Sequence, residues 1–475
     1  SSPATLKSGV TLVGVGDVIF QSTTPGSPCL TGDSLSRVIV HNIQFTGVSP
    51  TTVPTVSVGG FAASSSGLLT ITNSTDVEVT RCQFSSFYNG LSLLKCTRVF
   101  ATHNYITNWL LYGILGSLCN DFSIDHNIIV GCAQTGAVGA YGISATGDAN
   151  GGTVQRAGSL SFNVIRDIPS WDGIMTHDCN GLRIIGNDIR NVRIGVDIGS
   201  VNATTSAKNV HIEANYIEAT TTDTWAGVSA AHLAILFTGY SAGVVSDTVS
   251  IVNNIISGFY SMTGSPSFAG TSAHIGCAYA NFLNIQGNII KNGGTVSGAP
   301  GIAVIGNCNI VSVDGNTLQG SFGSGAIRLA STVGTSVTVT GNTVIQTTTT
   351  DAAVYVTSVT LTALEVSGNV GNSSIPYAET GSTITFRSVN AGHLHYTGTY
   401  TVAGLANNTA TTLPDFTVTG AVAGDAVTIT IPATGVICTG YCPGANLVRV
   451  TLFNCTGGAL TVAGATIIID VIKYR

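Results

Sequence analysis

The sequence predicts an all-β protein: a parallel β-helix built from coils of three strands, followed by a C-terminal antiparallel β-sandwich. The composition suits short strands joined by tight turns, with 58 glycines, 44% hydrophobic residues, 12 prolines and 2 methionines among 475 residues. A triplet of the form Asn-x-[Ile/Val/Leu] recurs along most of the chain. After about residue 388 this repeat fades, which predicts a second kind of structure there.

The repeated triplet sets the length of a coil. From Asn104 to Asn369 its asparagines lie 23 to 39 residues apart, and a strand pattern that returns at such a period is typical of a solenoid. The shortest interval gives the minimal coil, so the longer intervals indicate inserted loops. The strong members of the repeat are Asn104, Asn127, Asn163, Asn187, Asn215, Asn254, Asn288, Asn316 and Asn342, and the weaker outer members are Asn369 and Asn42.

Each coil contains three β runs: one before the asparagine, one after it, and an alternating third such as YGISATG or DGIMTHD. Asparagine at a bend tolerates the left-handed backbone conformation, and its amide can bond to the asparagine of the next coil. Such a ladder explains the repeat without any catalytic role. His41, His103 and His126 each precede an asparagine of this kind, so we assign them a structural role as well.

The C-terminal region reads differently. From HLHYTGTY onward, alternating strands such as DAVTITIP and NLVRVTLFN are separated by turns that contain glycine and asparagine, which predicts an antiparallel sandwich. We therefore divide the chain into a β-helix over residues 1–388 and a β-sandwich over residues 389–475.

Charge and cysteine content exclude several classes of function. A net charge of −6 with only 17 Lys and Arg residues argues against a nucleic-acid partner, and the lack of a long apolar run argues against membrane insertion. The 11 cysteines lack metal-site spacing, although Cys438 and Cys442 are close enough in sequence to raise the question of a disulfide. The segment SIDHN, residues 123–127, has no acidic cluster around it. We expect no metal and no cofactor.

Two long segments carry a resemblance to a known family, namely YGISATGD…SWDGIMTHDCNGLRIIGNDIRNVRIGVDIG and NNTATTLPDFTVTGAVAGDAVTI…VRVTLFNCTGGALTVAGATIIIDVIKY. The chain resembles bacteriophage tailspikes with a pectin-lyase-like right-handed parallel β-helix. These proteins bind and depolymerise host surface polysaccharide, capsule or O-antigen. Related sequences often read DGIDTHGG, so Met175 stands here where an acid is expected.

The resemblance implies several further properties. It implies a polysaccharide depolymerase carried on the phage tail of the virion and acting at the host cell surface. It also implies a homotrimer and a missing N-terminal region that joins other tail or baseplate proteins. On this basis the β-helix would bind and cleave the polysaccharide, and the C-terminal sandwich would serve trimerisation or carbohydrate binding. Reduced cysteines would follow from folding in the host cytoplasm.

The alternating strands allow outward-facing residues to be aligned from coil to coil. With Ile143, Ile174 and Val196 as inward residues, Asp197 and His177 face outward on adjacent coils. Asp172 precedes them where its strand leaves a turn, roughly 11 Å from Asp197 between Cα atoms. We predict these three as the catalytic residues, because two carboxyl groups that converge from such positions suit an inverting glycosidase.

The substrate-binding candidates surround this set. Trp171 and Trp225 offer aromatic faces for sugars, and Tyr141, Arg193 and Asp148 complete the predicted binding residues. Long loops over residues 147–160, 218–230 and 240–248 would flank the groove.

Other readings remain open at this point. Asp172-Gly173 and Asp178 also suit turns, and His177 can be satisfied by Asp197 without catalysis. A lyase would instead use His177, Tyr141 and Arg193, to take a proton and to neutralise a uronate. A non-catalytic receptor-binding spike and a secreted bacterial polysaccharide lyase are the competing functions, the second disfavoured by the missing signal sequence. Hydrolysis is the preferred prediction.

Overall fold

The computed structural model shows an all-β chain whose strands stack coil upon coil. Among the described residues the one helical element is a single 3-10 turn, Ala63–Ser65. None of the described helical segments is long and apolar enough to cross a membrane. The described residues are 3–133, 139–147, 155–200, 206–219, 233–239, 246–258, 273–292, 299–323, 325–346, 352–373, 375–418, 421–431 and 435–474.

Each coil contributes one strand to each of three stacked rows, and neighbouring coils pair in parallel. Row 1 lies in a 16-stranded sheet, and rows 2 and 3 share a 23-stranded sheet. The parallel β-helix predicted from the repeats is therefore confirmed. Row 1 comprises Thr11–Val13, Ser36–His41, Thr75–Thr80, Thr97–Thr102, Asn120–Asp125, Gln155–Ser161, Cys179–Ile185, Val210–Glu213, Ser246–Val252, Ala280–Gln286, Ile310–Asp314, Val333–Thr340, Thr360–Ser367 and Thr383–Leu405.

Rows 2 and 3 are joined in four coils, where one strand runs through both: Gln83–Leu94, Tyr105–Ser117, Val164–His177 and Asp188–Gly199. The remaining strands of row 2 are Ile19–Gln21, Gln44–Thr46, Ile128–Val130, Tyr216–Glu218, Ile255–Ser257, Ile289–Asn292, Thr317–Gly320, Thr343–Gln346 and Val370–Gly371. Those of row 3 are Ala4–Thr5, Leu30–Asp33, Leu69–Thr72, Tyr141–Thr146, Leu233–Thr238, Ile275–Ala278, Ile302–Ile305, Ile327–Ala330, Ala352–Thr357 and Ile375–Thr380.

The predicted asparagine ladder forms at the bend between rows 1 and 2. The side-chain Nδ2 and the backbone N–H of Asn104 both donate to Oδ1 of Asn127, each at 3.0 Å. The same pair of bonds repeats from coil to coil up to Asn369. The ladder thus satisfies a column of buried polar groups inside the β-helix.

One detail of the ladder differs from the prediction. The residue in the left-handed conformation is the one before each asparagine, for example His103 and His126, both with φ of 56°. His103 and His126 stack with ring centroids 5.1 Å apart, in keeping with a structural role. Asn42 is not a member of the ladder. Gln44 pairs with Gln83, so Ile43 occupies the position that asparagine has in the later coils. Asn42 is the left-handed residue before that position, with a φ of 55°. His41 accordingly lies outside this histidine stack.

A column of glycines marks the corner between rows 2 and 3, which the repeat pattern did not reveal. A β-carbon built on Gly142 would lie 2.6 Å from the carbonyl oxygen of Gly173, and one on Gly173 would lie 2.8 Å from that of Gly195. Both distances are shorter than any normal contact. Glycine therefore lets adjacent coils approach closely at this corner, just before the strands that carry the candidate site.

The C-terminal region is antiparallel, as predicted. The strand Thr383–Leu405 pairs in parallel with Thr360–Ser367 as far as Asn390, and from Asn390 onward it pairs in antiparallel fashion with Leu460–Tyr474. Ala426–Thr430 extends this sheet. A second, four-stranded sheet consists of Ala410–Thr412, Phe416–Thr417, Val436–Gly444 and Leu447–Asn454. Side chains of the two sheets share a separate hydrophobic core.

Cys438 and Cys442 form no disulfide with each other. Both lie in the extended strand Val436–Gly444. Four residues of extended strand span roughly 13 Å, well beyond the Cα separation that a disulfide tolerates. The extended strand therefore keeps Cys438 and Cys442 too far apart to form a disulfide.

Candidate functional site

The strand register of row 3 confirms the alignment predicted from the sequence. Ile143 pairs with Ile174 and Ile174 with Val196, all fully buried inside the β-helix. Met175 consequently pairs with Asp197, and Tyr141 pairs with Asp172. The outward columns thus contain the residues that the alternation assigned to them.

A local irregularity precedes Asp172. Ile168 pairs with Val192 and Asp172 pairs with Ile194, so residues 169–171 on one strand lie opposite residue 193 alone on the next. Gly173 follows at the corner. Ile194, the partner of Asp172, belongs to a hydrophobic cluster outside the β-helix interior, whereas Ile174 belongs to the interior core. Asp172 therefore lies on the outer side of row 3.

Asp172 is enclosed and electrostatically unusual. Its exposed fraction is 0%, and neither carboxyl oxygen has a hydrogen-bond partner among the described residues. Burial raises the pKa of this carboxyl well above its ordinary value, and the charge of Asp197 raises it further, whereas Arg193 acts in the opposite direction. Asp172 therefore keeps its proton to a higher pH than an ordinary aspartate does.

Asp197 lies one coil further along and keeps part of its surface accessible. Burial raises its pKa to about 7, and the neighbouring His177 lowers it somewhat. At neutral pH this carboxyl divides between its two protonation states. Asp172 and Asp197, called the acid pair below, thus have carboxyl groups with different protonation preferences, the arrangement that separates a general acid from a general base.

His177 contacts a different acid from the one expected. Its Nδ1 lies 3.2 Å from Oδ2 of Asp178, which is fully buried. Asp178 has a φ of 51°, so it occupies the bend that the sequence predicted for it. His177 is consequently anchored by Asp178 while it acts on Asp197 through its charge.

Trp171 and Arg193 pack against each other in the irregular segment. The guanidinium carbon of Arg193 lies 4.4 Å from the centre of the Trp171 ring, a cation–π contact. Nε and Nη1 of Arg193 have no hydrogen-bond partner among the described residues, although only 7% of the residue is exposed. One face of the indole is therefore covered, and the guanidinium retains donors for an acidic or hydroxyl-rich ligand.

Tyr141 lies between this group and the preceding coil. Burial raises its pKa, and the charges of Asp172, Tyr112 and Asp197 add to the effect. The indole N–H of Trp109 donates to the backbone carbonyl of Tyr141 at 3.1 Å, which fixes the strand at this point. Tyr141 is therefore a neighbour of the acid pair, as the sequence predicted.

Two outward residues were not selected from the sequence. Ser144 lies in the column of Met175 and Asp197, has no exposed surface, and its hydroxyl has no partner among the described residues. Tyr112 stacks on Tyr141, with ring centroids 5.3 Å apart. Their positions in the outward columns were the only feature of the sequence that could have identified Ser144 and Tyr112 as site residues.

Two long chain connections join row 2 to row 3. Glu218 and Ser257 end strands of row 2, and row 3 resumes only at Leu233 and Ile275 respectively. The predicted loop over 147–160 is too long, because Gln155–Ser161 is a strand of row 1. Trp225 and Asp148, both predicted to bind substrate, lie outside the described residues.

The outer face of row 3 becomes apolar on the C-terminal side of the acid pair. Ile194, Leu233, Leu236, Ala303 and Ile305 form a buried cluster on this face. A sugar would find few hydrogen-bonding groups there. The apolar surface therefore begins directly beyond the acid pair, and the outward column of Asp197 carries a charged residue again at Arg328.

No group of three or more His, Cys, Asp or Glu side chains among the described residues has the arrangement of a metal site. The carboxyl of Asp125, in SIDHN, accepts a hydrogen bond from the backbone N–H of Ser161 at 2.9 Å, and its pKa is raised by burial. Its surroundings are serine hydroxyls and backbone.

No family model and no curated protein sequence matches this chain. Among solved structures, the fold is similar to that of a mutant tailspike protein of E. coli bacteriophage HK620, with a TM-score of 0.54 and 11% identity, covering 98% of this chain and 86% of that one. The Pseudomonas phage phi297 tailspike gp61 has a TM-score of 0.47 at 13% identity, covering 94% of this chain and 67% of that one.

A third structure is the Gp54 tailspike of Acinetobacter baumannii bacteriophage AP22 in complex with capsular saccharide, with a TM-score of 0.44 at 11% identity, covering 92% and 69%. The likeness to the HK620 protein shows a shared fold. The chain thus has the right-handed parallel β-helix fold of phage tailspikes, as its sequence predicted.

Proposed function

We propose that the chain is a phage tailspike that binds a bacterial surface polysaccharide, capsule or O-antigen, and cleaves it by hydrolysis on the outer face of row 3. The observation that carries the proposal is the acid pair. It combines one fully buried carboxyl and one of pKa about 7, beside Trp171, Arg193 and His177, on a face that long connections join to row 2. The tailspike-like fold supports this class of ligand and a location in the phage tail.

The mechanism assigns one role to each acid. Asp172, held protonated by burial, donates its proton to the leaving glycosidic oxygen. Asp197, ionised above pH 7, takes a proton from the water that attacks the anomeric carbon. Their register places the Cα atoms roughly 11 Å apart, from which the carboxyl groups can approach the ~6.5–9.5 Å separation of inverting enzymes. His177 supports the ionised form of Asp197.

Hydrolysis carries one structural requirement. Asp172 has no exposed surface, so substrate binding must uncover its carboxyl before a proton can pass. The burial of the Asp172 carboxyl also favours a second candidate function, a spike that binds polysaccharide without cleaving it. The Trp171–Arg193 pair and Tyr141 would then serve binding alone.

The two functions separate in one experiment. The chain is applied to an array of bacterial capsular and O-antigen polysaccharides, and any polysaccharide it binds is incubated with it while the molar mass of the polymer is followed by light scattering. The proposed function predicts binding followed by a fall in molar mass. Binding with constant mass would establish the non-catalytic spike, and binding to no polysaccharide would refute both functions.

We also propose that the chain forms a homotrimer through row 2. One outward column of this row contains the apolar side chains Tyr105, Ile128, Ile255, Ile289 and Val370, whose exposed fractions run from 37% to 61%. Asp188 interrupts the column, but exposed apolar side chains lie on adjacent coils on both sides of it, at Tyr105 and Ile128 and at Ile255 and Ile289. Exposed apolar surface of this kind marks a protein interface. A second and third copy of the same chain would cover it around a threefold axis.

The double substitution Ile255→Asp and Ile289→Asp is expected to convert the trimer into monomers, because it buries charges in the proposed interface. Sedimentation velocity measures the change. Ile310→Asp is the matched control, since Ile310 is equally exposed but lies in row 1. A monomeric parent chain, or a double variant that stays trimeric, would contradict the proposed interface.

A further inference from the structure

Arg193 is a nearly buried cation without a counter-ion among the described residues. Only 7% of the residue is exposed, and none of the ion pairs that the described residues form includes it. Its neighbour Asp172 does not serve as the partner, because neither of its carboxyl oxygens bonds to any described residue. A guanidinium stays charged in a protein, and a buried charge is costly unless it is paired. The position of Arg193 therefore favours an anionic ligand.

Arginines elsewhere in the chain show the contrast. Arg98, Arg166, Arg190 and Arg449 have side chains that are 40% to 53% exposed, and each forms an ion pair with an aspartate. Arg193 has the opposite combination, a nearly buried guanidinium with no carboxylate partner among the described residues. An arginine with a purely structural role at this depth would need such a partner.

The packing around Arg193 holds its guanidinium in place. The guanidinium carbon lies 4.4 Å from the centre of the Trp171 ring, and the flanking residues Val192 and Ile194 are buried. The N–H groups of a guanidinium lie in its plane, so a ring on its face does not occupy them. Nε and Nη1 have no hydrogen-bond partner among the described residues. A carboxylate is the group that a guanidinium binds best, through two parallel N–H donors.

Arg193 lies at the Asp172 end of the acid pair. Asp172 pairs with Ile194, the residue directly after Arg193, whereas Asp197 lies four residues further along the same strand. Burial lowers the pKa of Arg193, and the charge of Asp172 acts in the opposite direction. Because Arg193 is almost as buried as Asp172, a ligand must uncover both side chains together. An anionic group bound to Arg193 would then lie next to Asp172.

We infer that Arg193 binds the carboxylate of an acidic sugar unit, so that the chain recognises an acidic polysaccharide whose charged unit lies at the Asp172 end of the acid pair. The inference rests on the proposed polysaccharide function and adds the chemical class of the polymer. It applies both to a chain that cleaves the polymer and to one that only binds it.

The first test changes the ligand and leaves the protein intact. The polysaccharide that the parent chain binds most tightly on the array is treated with carbodiimide and borohydride, which convert its carboxylates into neutral primary alcohols. Calorimetric titration then compares the native polymer with the reduced one. The array should select an acidic polysaccharide, and reduction should weaken its binding about 10- to 100-fold, the usual effect of losing a hydrogen bond between charged groups.

The second test assigns this effect to Arg193. Arg193→Gln removes the charge and should weaken binding of the native polymer about 10- to 100-fold. It should leave binding of the reduced polymer nearly unchanged, because that polymer has no carboxylate. Arg183→Gln is the matched control, since Arg183 is exposed and lies in row 1, on the strand Cys179–Ile185. The control should bind both polymers like the parent chain.

Equal binding of the native and reduced polymers by the parent chain, or a parent chain that binds only neutral polysaccharides, would overturn the inference while the proposed function stands. Equal losses on both polymers in Arg193→Gln would also overturn it, because they would indicate a distorted site. If this variant does not fold, the comparison of the two polymers on the parent chain decides. Binding to no polysaccharide on the array would mean that the proposed function itself fails.

Discussion

Replacement of Asp197 by Asn, or of Asp172 by Asn, is expected to lower the rate of polysaccharide cleavage by about 10²- to 10⁴-fold, the usual contribution of a general base or acid. Each substitution preserves the shape of the side chain and removes only its ability to exchange a proton. Cleavage is measured as new reducing ends per minute on a polysaccharide that the parent chain degrades. Binding of the same polymer should change far less than its cleavage.

The pH dependence follows from the two perturbed groups. Asp197 acts as a base only when ionised, so cleavage should rise with pH through its pKa of about 7. Asp172 acts only when protonated, so cleavage should fall again at higher pH, where that raised pKa is passed. The expected profile is a bell whose rising limb is centred near pH 7.

The raised pKa values of the acid pair also make the stability of the fold depend on pH. A carboxyl whose folded pKa is raised above its unfolded value stabilises the fold fully at low pH, and this contribution is lost as the pH rises through the folded pKa. For Asp197 the window runs from about pH 4 to about pH 7. Asp197→Asn should therefore be more stable than the parent chain at pH 8 although it is less active.

Asp188→Asn is the matched control for the acid pair. Asp188 begins the same strand, Asp188–Gly199, but lies in row 2, where it forms an ion pair with Arg190 at 2.5 Å. This variant should cleave at the parent rate. Parent-like cleavage by both site variants, or an equal loss in the control, would show that the acid pair is not the catalytic centre.

Cutting the asparagine ladder is expected to produce the largest loss of stability. In Asn316→Ala, two donors of Asn288 lose their acceptor, and the carbonyl of Ile285 loses its donor. Each buried polar group left without a partner costs ~1–3 kcal/mol, so the free energy of unfolding should fall by about 3 kcal/mol or more. Unfolding rates in guanidinium chloride measure the effect for a chain of this size.

Asn309→Ala provides the comparison for the ladder. Outside the ladder, the side chain of Asn309 donates to Asn281 at 3.0 Å and accepts from the backbone N–H of Thr335 at 3.1 Å and from the Thr335 hydroxyl. Water can replace these partners, because Asn309 is only partly buried. Its loss should cost about 1 kcal/mol or less. Equal unfolding rates for the two variants would mean that the ladder contributes no more than an ordinary surface amide.

The strand register was predictable because a buried Ile or Val returns in every coil. Once Ile143, Ile174 and Val196 were aligned, the two-residue period of a strand fixed the positions of Asp197 and His177. The ladder was predictable for a similar reason, since the same asparagine recurs at every bend. Repetition provided the signal in both cases.

Non-repeating features were beyond the reach of this reasoning. Residues 169–171 lie opposite a single residue, and no pattern in the sequence indicated that this would bring Trp171 onto Arg193. The left-handed backbone conformation was predicted for the asparagine, because the asparagine is the residue that recurs in the sequence. It is found in the residue before the asparagine. The complete burial of Asp172 depends on three-dimensional packing that strand alternation does not describe.

Analysis of the cleavage products in ¹⁸O-labelled water tests the central claim most directly. The acid pair predicts hydrolysis, so mass spectrometry should find one labelled oxygen in the new reducing end of every fragment. Fragments that carry an unsaturated uronate and no label would indicate elimination and contradict the assigned roles. A bound polysaccharide that remains at full length would contradict catalysis itself.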